Sequence, residues 1–383
     1  MSTPPIPGLA ELRRRTSAKW TTYPDDVLPL FVAEMDFPLA PAVAEAMIAQ
    51  VAASDVGYCG GPGRVGHTFS GFADRRWGWP VDPADVRLTT DVSVVIVETL
   101  RVAIEPGDPV IITPPVYPPF FELIPEAGGR VCEVPLLAGD DGWSLDLPGI
   151  ERELQAGARA VLLCHPHNPL GLVHPSADLA TLAELVAAHG AVVISDEIHA
   201  PLVHPHARFT PFLAVSETAR NVGIAAHSAS KGFNLAGAKC ALMVAASERT
   251  RAMLDRQPEE VGFRTSILGR AAAEAAFESG DDWLDATLRT IVGNLDLLER
   301  RLPDLGGVTW RRPDASYLAW LDFRGTGLGD DPAAAVLDRG RVALHSGPAF
   351  GTQGVGFARL NVGCAPELLN VALDAISDVV NSA

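Results

Sequence analysis

The sequence predicts an α/β protein with a mostly parallel sheet between helices in a large domain, and a smaller α+β domain at the C-terminal end. The chain has 383 residues, which is too long for one simple core and suggests a large domain plus a smaller one. Between about residues 85 and 245, short apolar runs alternate with helical patterns. Nearly continuous apolar strands separated by helices are typical of a parallel sheet that is covered on both faces.

Seven apolar runs predict the strands of the large sheet. In chain order they lie at 86–89, 110–113, 131–134, 160–163, 192–195, 223–226 and 241–244. Ligands of such sheets bind at the carboxyl ends of the strands. We therefore look for functional residues just after these runs.

The C-terminal part of the chain has a different pattern. Residues 264–302 are helical in pattern with a break near Gly280, strands are sparser after about residue 303, and a closing helix is expected at 366–380. We expect three parts, which are an N-terminal arm that packs with the small domain, a large domain and a small domain. Their expected bounds are 1–45, 46–280 and 281–383.

The composition excludes several classes of protein. Hydrophobic residues make up 48% and charged residues 20%, as in ordinary globular proteins. The net charge of −17 argues against a nucleic-acid partner, which would need a basic patch. The longest apolar run, 240–246, is far shorter than the ~20 residues of a membrane helix.

Cysteine usage and the N-terminal residues predict a cytoplasmic location. The five cysteines are odd in number and include no Cys-x-x-Cys pair, which is typical of reduced thiols. The first residues are rich in proline and arginine and contain no apolar segment of an export signal.

One segment places a lysine beside hydroxyl groups and a second cation. Ser228, Ser230 and Lys231 follow the predicted strand 223–226, and Lys239 comes eight residues after Lys231. A lysine at a strand end can react with an aldehyde, and hydroxyls with a cation suit a phosphate group. On its own this short motif is weak, because a lysine in a loop is usually only solvated.

Two further strand ends supply an acid and an amide. Asp196 follows the run 192–195, and Asn168 lies in the Pro/Gly turn after 160–163. An acid, an amide and Lys231 together suit pyridoxal phosphate. Its ring nitrogen needs a carboxylate, its 3-oxygen needs a donor and its aldehyde needs an amine.

These motifs resemble those of a known family. The spacing of Asn168-Pro169-x-Gly171, Asp196-x-x-His199 and Ser228-x-Ser230-Lys231 is similar to that of class I/II aminotransferases, which are pyridoxal-phosphate enzymes of fold type I. The resemblance is closest to the cystathionine β-lyase-like (C–S lyase) branch. The segments that resemble this branch lie at 19–20, 31–37, 57–58, 115–120, 195–199 and 359–361.

The resemblance implies roles around the cofactor ring. Lys231 would form the Schiff base and later remove the substrate Cα proton, while Asp196 would pair with the pyridinium nitrogen. Asn168 would donate its amide to the 3-oxygen. His199 stands where many relatives have a tyrosine that faces this oxygen, and Tyr117 would stack on the ring.

The resemblance also implies a phosphate site. Ser228 and Ser230 would supply hydroxyls, and Lys239 stands where aminotransferases often carry an arginine. The backbone amides of Val92 and Ser93, at the start of a helix, would complete the site.

Three residues depart from the family pattern. Asp91 stands where relatives usually have glycine, and an anion near a phosphate is unfavourable unless it points away. His165 and Leu170 replace the usual Asn and Thr of the turn motif, in what we expect to be the pocket region, so we expect them to affect the choice of substrate.

The pairs His165/His167 and His204/His206 do not indicate a metal, because a proline separates each pair and no carboxylate or cysteine cluster accompanies them.

The substrate implied by the resemblance is a small amino acid. Arg359 would bind its α-carboxylate bidentately, with Asn168 and Tyr58 also in contact with substrate. In relatives the tyrosine matching Tyr58 reaches the phosphate of the neighbouring subunit, which implies a homodimer with shared sites. Tyr58 and Tyr117 are both candidates for the acid that protonates the leaving group.

The expected activity is β-elimination from L-cystathionine or another S-substituted L-cysteine, giving a thiol, pyruvate and ammonia. The alternative is an aminotransferase, since both reactions begin with removal of the Cα proton and no single residue decides between them. A non-catalytic regulator built on the same fold is disfavoured by the intact Lys231 and Asp196 and by the lack of a spare basic segment.

Overall fold

The computed structural model describes residues 6–139 and 142–382. Its strands are β1 (Leu28–Pro29), β2 (Val86–Thr89), β3 (Pro109–Ile112), β4 (Arg130–Glu133), β5 (Leu137–Gly139), β6 (Gly142–Ser144), β7 (Ala160–Cys164), β8 (Val192–Asp196), β9 (Gly223–His227), β10 (Ala241–Val244), β11 (Thr309–Trp310), β12 (Leu318–Asp322), β13 (Val342–Ala343), β14 (His345–Ser346) and β15 (Phe357–Asn361).

The helices are α1 (Leu9–Leu12), α2 (Ala18–Thr21), α3 (Pro41–Ala52), α4 (Val65–Trp77), α5 (Val92–Ala103), α6 (Phe120–Glu126), α7 (Leu147–Gln155), α8 (Ser176–Ala188), α9 (Phe212–Val215), α10 (Glu217–Val222), α11 (Ala229–Gly232), α12 (Glu248–Leu254), α13 (Glu260–Phe263), α14 (Ile267–Ser279), α15 (Asp281–Arg301), α16 (Pro332–Gly340) and α17 (Pro366–Asn381).

The large sheet confirms the predicted architecture. Within the described residues it has seven strands in the order β2-β10-β9-β8-β7-β3-β4. All neighbours are parallel except β10, which is antiparallel to both β2 and β9. Each of the seven predicted runs coincides with one of these strands to within one residue at either end.

Alternation along the strands explains why both faces of this sheet are covered. Successive residues of a strand point to opposite faces. In β7, Leu162 packs in a core with helix α5, whereas Val161 and Leu163 pack in the core on the other face. Every residue of β7, β8 and β9 is buried. The near-continuous apolar runs of the sequence are therefore the consequence of two cores, one on each face.

A second sheet lies in the C-terminal part of the chain. It is antiparallel, with the order β11-β12-β15-β14. The N-terminal arm runs beside this sheet. Its strand β1 pairs in parallel with β13, and the backbone N–H of Asp36 donates to Gly363 O. The domain bounds at residues 45 and 280 stay predictions, and residues 1–5 of the expected arm lie outside the described part.

A buried ion pair fixes the arm. Lys19 Nζ lies 2.8 Å from Asp36 Oδ1, and the side chains are only 0% and 1% exposed. Lys19 also donates to Glu34 O at 3.1 Å, and Arg15 Nη2 donates to Asp36 O at 3.1 Å. Burial raises the pKa of Asp36, although the Lys19 charge opposes the rise. A lone carboxylate here would therefore be costly, and Lys19 is needed to keep it charged.

Lys19→Met should destabilise the protein by about 3–5 kcal/mol, because it leaves Asp36 buried without its cation. Denaturant unfolding followed by circular dichroism measures this loss. The matched control is Asp26→Ala, which breaks the solvent-exposed pair of Asp26 with Arg341 and should cost less than about 1 kcal/mol. Equal losses in the two variants would contradict the role of the buried pair.

Candidate active site

A cavity of about 330 Å³ lies at the carboxyl ends of β7, β8 and β9, beside the N-terminus of α5. Its wall includes most of the residues that the sequence predicted for the site, namely Val92, Ser93, Tyr117, Asn168, Asp196, His199, Ser228, Ser230, Lys231 and Lys239. The structure therefore brings together residues that are up to 147 positions apart in sequence (92 to 239).

Lys231 lies on the short helix α11, directly after β9. Its Nζ donates to Ala33 O of the N-terminal arm at 2.8 Å. Burial, followed by the positive charge of Arg359, lowers the pKa of Lys231 from 10.5 to about 8. A substantial fraction of this amine is therefore neutral near pH 8, as a nucleophile and base must be.

Asp196 is the last residue of β8, and its carboxylate is buried. Oδ1 accepts the backbone N–H of Ile198 at 3.1 Å. Burial raises the pKa of Asp196 to about 7, against the opposing effects of the Ile198 amide and the Lys231 charge. A cation placed beside this carboxylate would be stabilised by it and would hold it ionised, which fits a protonated pyridine nitrogen.

His199 faces the cavity as a neutral imidazole. Its Nδ1 lies 3.1 Å from Ser316 Oγ. Burial, with added effects of the Lys231 and Arg359 charges, lowers the pKa of His199 to about 3. The ring can therefore pack against a cofactor and exchange a hydrogen bond with it, but it carries no charge at neutral pH.

The orientation of the Asn168 amide follows from its partner. Arg359 Nη1 lies 2.9 Å from Asn168 Oδ1, and an arginine can only donate. The amide oxygen must therefore face Arg359, which leaves the Asn168 NH₂ group available. Within the described residues this group has no acceptor, so it can donate to a cofactor oxygen.

The N-terminus of α5 forms the predicted phosphate end of the cavity. Asp91 caps the helix, with Oδ1 accepting the N–H of Val94 at 3.1 Å. Its Oδ2 lies 3.2 Å from Lys239 Nζ. The Asp91 carboxylate is therefore neutralised by Lys239 instead of pointing away from the site. The amides of Val92 and Ser93, in the first turn, are left without helical partners.

The Ser228 hydroxyl already has two hydrogen bonds. It donates to Cys240 O at 2.7 Å and accepts the N–H of Ser230 at 3.1 Å. It shapes the turn after β9, and as arranged it could accept from a ligand but not donate to one. Ser230 also lines the cavity.

Arg359 on β15 stands next to the cavity and is buried. Besides Asn168, it donates through Nη2 to Phe31 O at 2.8 Å and to His345 Nδ1 at 2.9 Å. Its guanidinium carbon lies 5.0 Å from the ring centre of Phe350. Burial lowers the pKa of Arg359 to about 10, so it stays charged at neutral pH.

The two predicted tyrosines lie in different surroundings. Tyr117 lines the cavity, and burial raises its pKa to about 12. Tyr58 lies away from the cavity of its own chain, and its side chain is 91% exposed. A role for Tyr58 in a site therefore requires a second copy of the chain.

The expectation that His165 and Leu170 lie in the pocket region is wrong. Neither residue lines the cavity. His165 Nε2 bonds to Thr210 O at 3.1 Å and its ring stacks on Phe209 at 4.7 Å. Leu170 belongs to a separate surface pocket with Trp310. Both side chains therefore lie outside the cavity.

Three residues that were not predicted from the sequence make hydrogen bonds at or beside the cavity. Ala33 O accepts from both Lys231 Nζ and Tyr317 Oη, the latter at 2.9 Å. His345 contacts Arg359. Ala33 acts through its backbone, which leaves no signal in residue type, although Ala33 lies within 31–37, one of the segments that resemble the C–S lyase branch. The contacts of Tyr317 and His345 depend on sheet register, which the sequence alone does not give.

Two other classes of site are not seen in the described residues. In this part of the chain no group of three or more His, Cys, Asp or Glu side chains is arranged to hold a metal ion. None of its helices is both long and apolar enough to cross a membrane.

The chain is similar to known proteins over most of its length. The family "Aminotransferase class I and II" matches residues 25–376. Cystathionine beta-lyase of Corynebacterium glutamicum is 37% identical over 382 residues, covering 98% of this chain and 100% of that protein. Cystathionine beta-lyase PatB of Bacillus subtilis (strain 168) is 33% identical over 355 residues, covering 92% of each. The crystal structure of cystalysin from Treponema denticola, which contains pyridoxal 5'-phosphate, matches with a TM-score of 0.91 at 25% identity over 97% of both chains.

The chain offers a simple test of the lysine assignment, because Lys19, Lys231 and Lys239 are its only lysines. Pyridoxal phosphate trapped on the protein with borohydride should be found by mass spectrometry on Lys231. Lys231→Ala should lose the bound visible absorbance, whereas the matched control Lys239→Ala should keep it with weaker cofactor affinity. A label on Lys239 alone would contradict the assignment.

The lowered pKa of Lys231 predicts a pH dependence. The ammonium form cannot attack an aldehyde, so the rate of aldehyde capture by cofactor-free protein should rise with pH, with a midpoint near pH 8. Arg359→Gln removes a nearby positive charge and should shift this profile to higher pH. Subtracting the capture rate of the matching Lys231→Ala protein isolates the contribution of Lys231. A midpoint of the pH profile near the usual lysine pKa of 10.5 would contradict the effect of burial.

Proposed function

The chain belongs to the class I and II aminotransferase family, and we propose that it is a pyridoxal-phosphate-dependent C–S β-lyase. It cleaves L-cystathionine or another S-substituted L-cysteine to a thiol, pyruvate and ammonia. One observation carries this proposal. A lysine with a lowered pKa and a buried acid line one cavity, with a buried arginine beside it, in a chain whose full-length relatives bear the name cystathionine beta-lyase.

The cofactor is pyridoxal 5'-phosphate, and the donor set of the cavity fits it. Lys231 offers an amine for its aldehyde, Asp196 a carboxylate for its ring nitrogen and Asn168 an amide for its 3-oxygen. The amides at the start of α5, with Lys239, suit its phosphate. When bound, the cofactor withdraws electrons from the substrate Cα and so makes the Cα–H bond acidic.

The residues of the chain account for the remaining steps. Arg359 binds the α-carboxylate of the substrate and orients it. Lys231 Nζ, once neutral, takes the Cα proton.

Loss of the sulfur group requires an acid. Tyr117 lines the cavity, and its raised pKa keeps the proton on its Oη at neutral pH. Tyr58 is the second candidate, and it would act in the cavity of a neighbouring copy.

We further propose that the active form is a homodimer. The helix α3 and the loop after it expose apolar side chains, namely Ile48, Val51, Val56 and Tyr58. A second copy would cover them and bring Tyr58 to the partner's phosphate site.

The proposed location is the cytoplasm, which agrees with the five unpaired, buried cysteines of the described chain.

The competing activity is amino-group transfer, which uses the same Lys231, Asp196 and Arg359. An assay with L-cystathionine, pyridoxal phosphate and no added keto acid separates the two. Stoichiometric pyruvate and thiol are the expected products, since elimination needs no amino acceptor. Product that forms only after an α-keto acid is added, together with a new amino acid, would establish the aminotransferase instead.

A further inference from the structure

His345 stands beside the proposed carboxylate-binding arginine because of strand register. In the antiparallel pair β14–β15, His345 lies directly opposite Arg359, and opposite residues project to the same face. The distance from Arg359 Nη2 to His345 Nδ1 is 2.9 Å. The ring also packs edge-on to Phe350, with ring centres 4.8 Å apart.

This contact fixes the state of the imidazole. Arginine has no acceptor, so His345 Nδ1 must accept the hydrogen bond and the ring proton must lie on Nε2. The ring is therefore neutral, in agreement with a pKa of His345 lowered to about 3 by burial and by the Arg359 charge. Among the described residues the ring makes no other hydrogen bond.

Both hydrogens of Arg359 Nη2 are already in hydrogen bonds, which affects how a substrate carboxylate can bind. Nη2 carries two hydrogens, and these are donated to Phe31 O and His345 Nδ1. A carboxylate that binds bidentately takes hydrogens from Nη1 and Nη2 or from Nε and Nη2. Both arrangements need a hydrogen from Nη2. One of its two present acceptors must therefore leave.

The backbone carbonyl of Phe31 is held in place on both sides. Leu30 N donates to Ala343 O and Leu30 O accepts from Asn361 N, both at 2.9 Å. Asn361 Nδ2 donates to Val32 O at 2.8 Å. His345, in contrast, is a half-buried side chain with a single hydrogen bond and rotatable χ angles. Of the two acceptors of Arg359 Nη2, His345 is therefore the one that a carboxylate can displace.

We propose that His345 is a positioning residue that holds the carboxylate-binding edge of Arg359 and is displaced from it by the α-carboxylate of the substrate. This inference rests on the proposed role of Arg359 in binding that carboxylate. Breaking the contact opposes binding, so His345 weakens the affinity for amino-acid substrates in general. His345 also holds the guanidinium of Arg359 in one orientation between Asn168 and Phe31.

The test compares two substitutions in the pyridoxal-phosphate-loaded protein. His345→Leu has a similar volume and no acceptor, so KM for L-cystathionine should fall about ten-fold, the factor that corresponds to about 1.4 kcal/mol, with a smaller change in kcat. His345→Asn keeps an acceptor oxygen near the position of Nδ1, so its KM should stay near that of the unsubstituted protein. A KM in His345→Leu that rises or does not change would overturn the proposal.

Two controls separate this proposal from the function on which it rests. An S-substituted cysteamine lacks the α-carboxylate, so it should inhibit the unsubstituted protein and His345→Leu equally. If His345→Leu bound this inhibitor more tightly as well, displacement of His345 by the carboxylate would be overturned. Arg359→Lys should raise KM. If it does so while His345→Leu does not lower KM, only the His345 proposal fails, whereas an unchanged KM in Arg359→Lys removes the role of Arg359 itself.

Discussion

Removal of charges from water is the constraint on which the site depends. Lys231, Asp196 and Arg359 are ionisable groups gathered around one cavity, and burial is the largest cause of the pKa shift in each. It lowers the pKa of Lys231 to about 8, raises that of Asp196 to about 7 and lowers that of Arg359 to about 10. The same desolvation makes the lysine a usable base and makes the carboxylate favour a cationic partner.

The N-terminal arm supplies acceptors that these buried cations need. The carbonyl of Ala33 accepts from Lys231, and the carbonyl of Phe31 accepts from Arg359. The arm can do this because the buried pair of Lys19 and Asp36 fixes its path beside the C-terminal sheet. A segment far from the strand-end motifs in sequence thus determines the hydrogen bonding of both cations.

Much of the fold and part of the site were predictable from the sequence. The strands of the large sheet could be predicted because both of their faces are buried, which gives unbroken apolar runs. Asp196, Asn168 and Lys231 could be found because they follow such strands. His345 could not, since its contact with Arg359 depends on the register of two short strands. The expectation for His165 was wrong, since its ring stacks on Phe209 and does not line the cavity.

In the proposed mechanism, Lys231 moves the proton at the substrate Cα. The most direct measurement incubates the loaded protein with L-alanine, which has no β-leaving group, in D₂O and follows the α-proton by NMR. We expect exchange of this proton in the unsubstituted protein and loss of the exchange in Lys231→Ala. Undiminished exchange in Lys231→Ala would contradict this role of Lys231, because another group would then be the base.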